Sequence, residues 1–233
     1  MLDNEKEQEN DNYDIEYKII TLGNAGVGKT SIIQRFVNDD FNENQLSTLG
    51  VSFNFKVINV NKKNLKIKLI DTGGQEKYRS ISMNYFRNVD VVLFVFDLNN
   101  VSSFESIQYW IDLFNDNNNG SHIKMKYLIG NKNDLDQVVE QELIDDLVEK
   151  NQIIYMSTSA RTKYQIDELF EIIGGELCDY AEKKMLENKN KNMNNNDNNN
   201  KSNNKENVKN KNQKARVLLQ SNFEEPKKKK CCS

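Results

Sequence analysis

The chain has 233 residues, 37% of them hydrophobic, which is a low fraction for a chain packed throughout its length. The net charge of −3 conceals a segregation: residues 1–16 carry seven acidic side chains and one lysine, whereas the segment from Lys183 onward carries fourteen basic and five acidic ones. Such a basic segment suits an anionic membrane surface better than nucleic acid, because it lies outside any folded motif. The longest apolar run, residues 91–96, is too short to span a bilayer, and neither a signal peptide nor a disulfide framework is indicated.

Short apolar runs alternate with amphipathic stretches from Glu16 onward, a pattern that predicts a parallel α/β sheet. Residues 61–64 separate two apolar runs as a hairpin turn would, so that strand pair should be antiparallel. We expect a single doubly wound α/β domain with six mostly parallel strands and five helices. The predicted strands are residues 16–22, 51–60, 65–70, 91–97, 125–130 and 153–157, and the predicted helices are residues 28–38, 76–86, 102–117, 138–150 and 164–186.

The composition also divides the chain into four segments. Residues 1–14 are polar, acidic and predicted to be disordered, and residues 15–186 form the α/β domain. Residues 187–226 are an Asn/Lys-rich linker with too few apolar side chains to fold, and residues 227–233 are a polybasic tail. Within the last helix, Gly174 and Gly175 together reduce the stability of the helix by about 2 kcal/mol relative to alanine, which predicts a bend or early fraying there.

The sequence GNAGVGKT, residues 23–30, lies between the first strand and the first helix, which is the order of a phosphate-binding P-loop. Its glycines let backbone N–H groups surround phosphate oxygens, and the helix N-terminus adds positive potential. Lys29 should reach the β- and γ-phosphates, and the Thr30 hydroxyl should bind Mg²⁺. The residues predicted to bind nucleotide here are Gly23, Asn24, Ala25, Gly26, Val27, Gly28, Lys29, Thr30 and Ser31.

A second motif, NKND at residues 131–134, follows the apolar strand that ends at Gly130. The Asp134 carboxylate can accept hydrogen bonds from guanine N1–H and the exocyclic amine, a donor pair that adenine lacks, so the motif favours GTP over ATP. Residues 159–161, just after the last strand, can supply a backbone N–H to guanine O6. The predicted base and ribose contacts are Phe41, Asn131, Lys132, Asp134, Ser159, Ala160 and Arg161.

Between these motifs, the segment DTGGQE at residues 71–76 follows the third strand. Asp71 can hold Mg²⁺ through water, a backbone N–H at Gly74 can reach the γ-phosphate, and Gln75 can orient the attacking water. Thr48 is the candidate for a second hydroxyl ligand of Mg²⁺, although an ordinary loop threonine would look the same. The predicted catalytic residues are Gln75 and Lys29, and the predicted metal ligands are Thr30, Thr48 and Asp71.

With all five nucleotide-site motifs in order, residues 15–182 resemble a Ras-superfamily small GTPase, and residues 49–53, 75–80, 85–87 and 103–110 are most similar to the Rab family. The resemblance implies a switch that binds GTP or GDP with Mg²⁺ and hydrolyses GTP slowly without help. With GTP bound, residues of about 41–53 and 72–87 would be ordered by the γ-phosphate. The implied switch and effector residues are Leu49, Gly50, Val51, Phe53, Ile70, Tyr78 and Tyr85.

The resemblance further implies a role in intracellular vesicle traffic and a set of protein partners. These are a guanine-nucleotide exchange factor, a GTPase-activating protein, a GDP-dissociation inhibitor and effectors, acting on a monomer that binds no nucleic acid. Two other functions stay open at this point. A Rab-like protein that barely hydrolyses GTP would act as a constitutive membrane recruiter, and an ATP-using P-loop kinase or ATPase is disfavoured by the NKND motif.

Three positions depart from the family pattern. Ala25 stands where Ras proteins usually have Gly and many Rab proteins have Ser, and its methyl group either crowds an activating partner and lowers hydrolysis or is neutral. Gly73 replaces a more typical alanine, which would loosen the second switch in the GDP state. Ile70 replaces the Trp that forms an aromatic triad with the residues at Phe53 and Tyr85 in Rab proteins, so the effectors of well-known Rab proteins do not carry over.

Four lysines at residues 227–230 precede Cys231, Cys232 and Ser233. This is not a CaaX box, and it resembles instead the paired-cysteine ending of Rab proteins, in which both cysteines take geranylgeranyl chains. Two chains, at about 0.8 kcal/mol per buried CH₂, anchor a protein stably where one binds reversibly. The expected location is the cytoplasmic face of intracellular membranes or the plasma membrane, with a soluble cytosolic pool.

Overall fold

The computed structural model describes residues 13–74, 84–118 and 123–196, with only the backbone described from residue 188 onward. Its strands are β1 Ile15–Leu22, β2 Val51–Val60, β3 Lys63–Thr72, β4 Val91–Asp97, β5 Met125–Asn131 and β6 Ile154–Ser157. Its helices are α1 Lys29–Asn38, α2 Val101–Glu105, α3 Ile107–Asn117, α4 Gln141–Asn151 and α5 Ile166–Asn196. None of these helices is long and apolar enough to cross a lipid bilayer.

The six strands form one sheet in the order β2-β3-β1-β4-β5-β6. Only β2 and β3 are antiparallel, and the other four neighbouring pairs are parallel, as the sequence predicts. Asn61 and Lys62 join β2 to β3 with left-handed φ angles of 51° and 64°, the conformation of a two-residue hairpin turn. Because the chain winds outward in both directions from β1, the loops that follow the parallel strands open a crevice at one edge of the sheet.

Helices cover both faces of the sheet because successive residues of each buried strand point to opposite sides. Ile19 and Leu93 pack with α1 and α5, whereas Ile20 and Phe94 pack with α2, α3 and α4. Strand β4 is buried along its whole length, so it carries apolar side chains on both faces instead of alternating with polar ones. The result is the predicted doubly wound α/β domain.

Several predicted boundaries differ from the structure. The predicted helix at residues 102–117 is two helices, α2 and α3, which are separated at Ser106. The predicted helix at residues 138–150 begins later, since the N–H groups of Val138 and Val139 donate to the Leu98 carbonyl and hold that segment beside the sheet. The predicted helix at residues 76–86 lies mainly outside the described residues, and residues 84–86 form turns.

The last helix corrects two further expectations. Helix α5 passes through Gly174 and Gly175 without interruption, and its backbone continues to Asn196 instead of ending near residue 186. A Cβ atom at Gly174 would lie 3.0 Å from both Ile58 Cδ1 and Val60 Cγ2, so the missing side chain lets the helix approach β2 closely. One compact unit of the chain ends at Leu186, and residues from Glu187 belong to a second unit.

Candidate nucleotide-binding site

The loops after β1, β3, β5 and β6 meet at one edge of the sheet, where parallel α/β folds bind ligands. They enclose a cavity of about 530 Å³ together with residues 41–48. The predicted residues that line it are Ala25, Gly26, Gly28, Lys29, Thr30, Ser31, Phe41, Thr48, Gly74, Asn131, Lys132, Asp134, Ala160 and Arg161. Lining residues that were not among the predicted contacts are Asn42, Glu43, Gln45, Leu46, Ser47, Thr72 and Leu135.

Two glycines of the P-loop are required by close approach to neighbouring strands. Gly23 has a φ of 146°, and a Cβ atom there would lie 2.1 Å from the Val95 carbonyl oxygen. Gly28 has a φ of 98° at the start of α1, and its Cβ atom would lie 2.2 Å from Asn131 Nδ2. Larger residues would therefore displace the loop from β4 and from the NKND motif.

Lys29 is the buried cation of the site, with 5% of its surface exposed. Its Nζ donates hydrogen bonds of 2.8 Å to the carbonyl oxygens of both Gly23 and Asn24, inside the P-loop. Burial lowers the pKa of Lys29 to about 8, and the nearby Asp71 carboxylate opposes that shift. An anionic phosphate beside this ammonium would favour its charged form, as expected of a phosphate-binding lysine.

Three oxygen-bearing side chains meet where the sequence predicts the metal. Thr30 Oγ1 lies 2.7 Å from Thr48 Oγ1 and donates a 2.7 Å hydrogen bond to Asp71 Oδ2. Burial raises the pKa of the Asp71 carboxyl, although the Thr30 hydrogen bond and the Lys29 charge lower it. The other carboxylate oxygen, Oδ1, is buried without a hydrogen-bond partner among the described residues. Hydroxyl and carboxylate oxygens with an unpartnered acceptor fit a hard divalent cation such as Mg²⁺.

The glycine pair after β3 brings three loops into contact. The Gly73 N–H donates a 2.8 Å hydrogen bond to the Gly50 carbonyl, and a Cβ atom at Gly73 would lie 2.5 Å from the Thr48 carbonyl oxygen. A Cβ atom at Gly74 would lie 2.3 Å from the Ala25 nitrogen. Both glycines are therefore needed for the segment that carries Asp71 to lie against the P-loop and the loop of Thr48.

The polar side chains of the base-recognition motif, residues 131–134, bond to residues of neighbouring segments. Lys132 pairs with Asp97 at 2.7 Å, which fixes the aliphatic stem that would lie along the base. Asp134 accepts a 2.5 Å hydrogen bond from the Ser159 hydroxyl, so the two loops that should contact guanine are joined directly. The exposed Asp134 lines the cavity, while the buried Ser159 lies behind it.

The mouth of the cavity is closed on one side by contacts that the motifs did not predict. Arg35 of α1 donates to the carbonyl oxygens of Ala160 and Arg161, at 2.9 and 3.2 Å, and its guanidinium lies 5.8 Å from the centre of the Phe41 ring. Arg161 forms a 2.7 Å ion pair with Glu43 across the opening. Phe41 is thus positioned beside the expected base and ribose by its cationic neighbour.

Asn24 is held from outside the P-loop. Its side-chain amide donates to Ser106 Oγ at 2.9 Å, and its carbonyl oxygen accepts a 2.8 Å hydrogen bond from Trp110 Nε1. Trp110 is 1% exposed and packs in the core, and its polar contact with the P-loop was not predicted from the sequence. No spacing rule in the sequence relates residues 24, 106 and 110.

The predicted effector residues separate into exposed and buried groups. Leu49 is 73% exposed, and the Phe53 ring packs edge-on against Tyr85 with centroids 5.4 Å apart. Ile70 is only 3% exposed, so it does not extend an aromatic surface beside that pair. Gly50 adopts a left-handed φ of 81°, and Val51 begins β2. Gln75, Tyr78, Cys231 and Cys232 lie outside the described residues.

Comparisons with known proteins identify the family. A model described as the Ras family matches residues 18–179. Ras-related protein Rab-13 of Bos taurus is 32% identical over 181 residues, which cover 77% of this chain and 88% of that protein. Rab-19 of Xenopus laevis is 35% identical, covering 72% and 80% of the two chains, and Rab-10 of Caenorhabditis elegans is 34% identical, covering 76% and 90%. The chain therefore belongs to the Ras superfamily of small GTPases and is most like the Rab proteins.

Proposed function

We propose that this Rab-like GTP hydrolase binds Mg²⁺ and GTP in the 530 Å³ cavity and cycles between GTP and GDP states to recruit effectors in membrane traffic. The meeting of Thr30, Thr48 and Asp71 beside the buried Lys29 is the observation that carries this proposal. It joins a phosphate site to a cation site and includes a residue of the loop that effectors contact in Rab proteins.

The side chains act mainly by position and charge. Lys29 and the P-loop N–H groups would hold the phosphates, and the Gly74 N–H would face the γ-phosphate from the other side. Gln75 follows Gly74 directly in sequence and would orient the attacking water. The cation, held by Thr30, Thr48 and Asp71, would neutralise charge that develops on the phosphate oxygens.

Loss of the γ-phosphate would remove the anchor of Thr48 and Gly74. The segment that follows Thr48 and includes the exposed Leu49 would then be free to move. Regulators that accelerate exchange or hydrolysis and effectors that read Phe53 and Tyr85 are the partner classes that such a cycle needs.

Nucleotide selectivity tests the proposal. Purified full-length protein should bind GTP and GDP far more tightly than ATP, and Asp134→Asn should lose GTP affinity because an amide N–H₂ replaces one acceptor. Thr48→Ala should raise the Mg²⁺ concentration needed for GTP binding, whereas Ser47→Ala, at the neighbouring exposed position, should not. Equal GTP and ATP affinity, or equal behaviour of the two alanine variants, would contradict the proposal.

A second function, constitutive recruitment with little hydrolysis, is kept open by Ala25. This residue is exposed and lines the cavity, and its methyl group occupies space beside the expected phosphates. Single-turnover rates of the natural protein and Ala25→Gly distinguish the two functions. A rate that increases in Ala25→Gly, which lacks the methyl group, supports crowding by that group, while equal measurable rates support an ordinary hydrolytic switch.

We also propose that Cys231 and Cys232 carry geranylgeranyl groups, which together with the four lysines at residues 227–230 would hold the protein on anionic membrane surfaces. Mass spectrometry of protein from its native cells should find both thiols modified. In cell fractionation, a Cys231→Ser/Cys232→Ser variant should be found in the cytosolic fraction, whereas the natural protein should be found in the membrane fraction. Unmodified cysteines in the membrane-bound protein would contradict this anchor.

A further inference from the structure

The hairpin of β2 and β3 presents an apolar surface outside the nucleotide site. Phe53, Phe55 and Val57 point to the same side of β2, and 41%, 49% and 41% of their surfaces are exposed. Exposed aromatic side chains on a single strand face are an interaction surface when they are contiguous. We call this side of the hairpin the hairpin face. It consists of Phe53, Phe55 and Val57 on β2 with Lys66 and Lys68 beside them on β3.

The hairpin face is basic as well as apolar. Its cross-strand register places Lys68 opposite Phe55 and Lys66 opposite Val57. Lys68 Nζ lies 4.7 Å from the centre of the Phe53 ring and 5.6 Å from that of Phe55, and Lys66 Nζ also lies 5.6 Å from the Phe55 centre. Within residues 13–74, 84–118 and 123–187, Lys68 has no ion pair with a carboxylate. The face therefore favours a partner that supplies carboxylates.

The chain enters the domain beside this face. The Tyr13 ring centre lies 4.8 Å from Lys66 Nζ. The Asp14 N–H donates to the Asn64 carbonyl at 2.8 Å, and the Asn64 N–H donates to Asp14 Oδ2 at 2.7 Å. These contacts fix the point from which residues 1–12 extend. That segment has one basic residue, Lys6, and its acidic residues are Asp3, Glu5, Glu7, Glu9 and Asp11.

The segment is long enough to reach the whole face. Twelve extended residues span at most about 40 Å, whereas the four steps along β3 from Lys66 to Ile70 span about 13 Å. Tethering at Tyr13 also gives the acidic side chains a local concentration in the millimolar range, so weak individual contacts are sufficient. Because it is long enough, tethered nearby and opposite in charge, the segment of residues 1–12 should occupy the hairpin face in preference to a free peptide.

We propose that the acidic segment of residues 1–12 binds the hairpin face of its own chain, with carboxylates on Lys66 and Lys68 and the chain crossing Phe55 toward Phe53. The contact is reversible and sensitive to salt, because ion pairs at a protein surface are weak and screened. A partner that binds Phe53 and Tyr85 must displace the segment. The intramolecular contact is independent of the bound nucleotide and can be tested whether or not the proposed GTP cycle is correct.

Lysine acetylation tests the proposal. The intact full-length chain is acetylated while folded and is then digested, so that mass spectrometry gives the acetylation rate of each lysine. In the tail variant, the five acids of residues 1–12 are replaced by Asn or Gln. The matched control replaces five exposed acids elsewhere, with the changes Glu105→Gln, Glu142→Gln, Asp146→Asn, Glu149→Gln and Glu171→Gln. We expect Lys66 and Lys68 to react about two- to fivefold faster in the tail variant than in the natural chain or the control. Lys184, an exposed residue of α5 that is thirteen residues from the nearest replaced acid in sequence, should react equally in all three.

Two further measurements complete the test. A synthetic peptide of residues 1–12 added to the tail variant should restore protection of Lys68, and about 0.5 M NaCl should remove the difference between variants. Equal acetylation of Lys66 and Lys68 in all three proteins would overturn the proposal. Protection that falls on dilution of the natural chain would also overturn it, because the contact would then join two copies. Thermal unfolding and GTP affinity of each variant show separately whether the domain is intact.

Discussion

The side-chain amide of Asn131 donates a 2.8 Å hydrogen bond to the backbone carbonyl of Val27 and thereby joins the base-recognition loop to the P-loop. Its carbonyl oxygen accepts hydrogen bonds from the Ala160 N–H at 3.2 Å and the Thr158 hydroxyl at 3.3 Å. Asn131 is 2% exposed, so these bonds are protected from water. One side chain thus holds together three loops that the sequence presents as separate motifs.

Removal of this link should weaken both folding and nucleotide retention. In Asn131→Ala, the Val27 carbonyl and the Ala160 N–H lose a buried partner, and each unsatisfied group costs about 1–3 kcal/mol. We expect a lower free energy of unfolding and faster GDP release, measured by denaturant titration and by release of a fluorescent GDP analogue. Asn133→Ala is the control, because Asn133 is exposed and its side-chain amide donates a 3.0 Å hydrogen bond to the Ser157 hydroxyl at the surface. Equal effects of both substitutions would contradict the linking role.

Gly73→Ala should affect the metal site without unfolding the domain. Its Cβ atom would lie 2.5 Å from the Thr48 carbonyl oxygen and 3.2 Å from that of Gly50, so the loop of Thr48 must move away. That movement would withdraw a predicted Mg²⁺ ligand. We expect a higher Mg²⁺ requirement for GTP hydrolysis and little change in the urea midpoint. Unchanged Mg²⁺ dependence would mean that the loop accommodates the methyl group at no cost to the site.

The sequence predicts the parts of the site that depend on local chemistry. The glycines of the P-loop, Asp134 and the order of strands and helices follow from spacing and periodicity, because backbone geometry and side-chain chemistry demand them. The contacts of Asn24 with Trp110 and of Arg35 with Ala160 join residues distant in sequence, and only the folded chain brings them together. Likewise, the sequence shows that Gly73 is unusual, but the approach of the Thr48 carbonyl explains why a side chain does not fit there.

The two adjacent glycines of α5 should respond differently to alanine. Among the described residues, and apart from the backbone of its own helix, no atom would lie within 4 Å of a Cβ atom at Gly175, so Gly175→Ala should stabilise the helix by about 1 kcal/mol. At Gly174 the new methyl group would meet Ile58 Cδ1 and Val60 Cγ2 at 3.0 Å, which offsets the same gain. Chemical denaturation of both variants measures the difference. A Gly174→Ala variant as stable as Gly175→Ala would show that β2 gives way without cost.

Alkaline pH should destabilise the domain through Tyr17. Burial, with a further contribution from Asp90, raises the pKa of Tyr17 to about 12, above its ordinary value of 10. Because the folded pKa is the higher one, the stabilisation is complete below pH 10 and is lost as the pH rises from 10 to 12. The slope is about 1.4 kcal/mol per pH unit for one proton. The Tyr17 hydroxyl also donates to the Leu177 carbonyl at 3.1 Å, so Tyr17→Phe lowers stability at neutral pH.

The test of Tyr17 compares how steeply the free energy of unfolding depends on pH in two proteins. The natural protein and Tyr17→Phe should be unfolded with urea at several pH values between about 9 and 12, the interval that contains both pKa values. The free energy of unfolding should fall less steeply with pH in Tyr17→Phe. Parallel curves would assign the alkaline transition to other tyrosines.

Trp110 should report on the nucleotide site although it does not line the cavity. It is the one tryptophan of the sequence, and its indole N–H donates to Asn24 Oδ1 at 2.8 Å. Rearrangement of the P-loop on nucleotide release would change this hydrogen bond and with it the fluorescence of the indole. We expect emission to change when GDP is removed with EDTA from the natural protein and to change much less in Asn24→Ala.

The same contact should slow nucleotide release. Trp110→Phe keeps most of the buried ring but removes the donor to Asn24, and loss of about 1 kcal/mol from one hydrogen bond corresponds to roughly fivefold faster GDP dissociation. Tyr109→Phe changes the exposed neighbour and serves as the control for altering this helix, with release expected at the natural rate. If Trp110→Phe lowers the unfolding midpoint but leaves GDP release unchanged, the indole contributes packing alone and the P-loop is positioned without it.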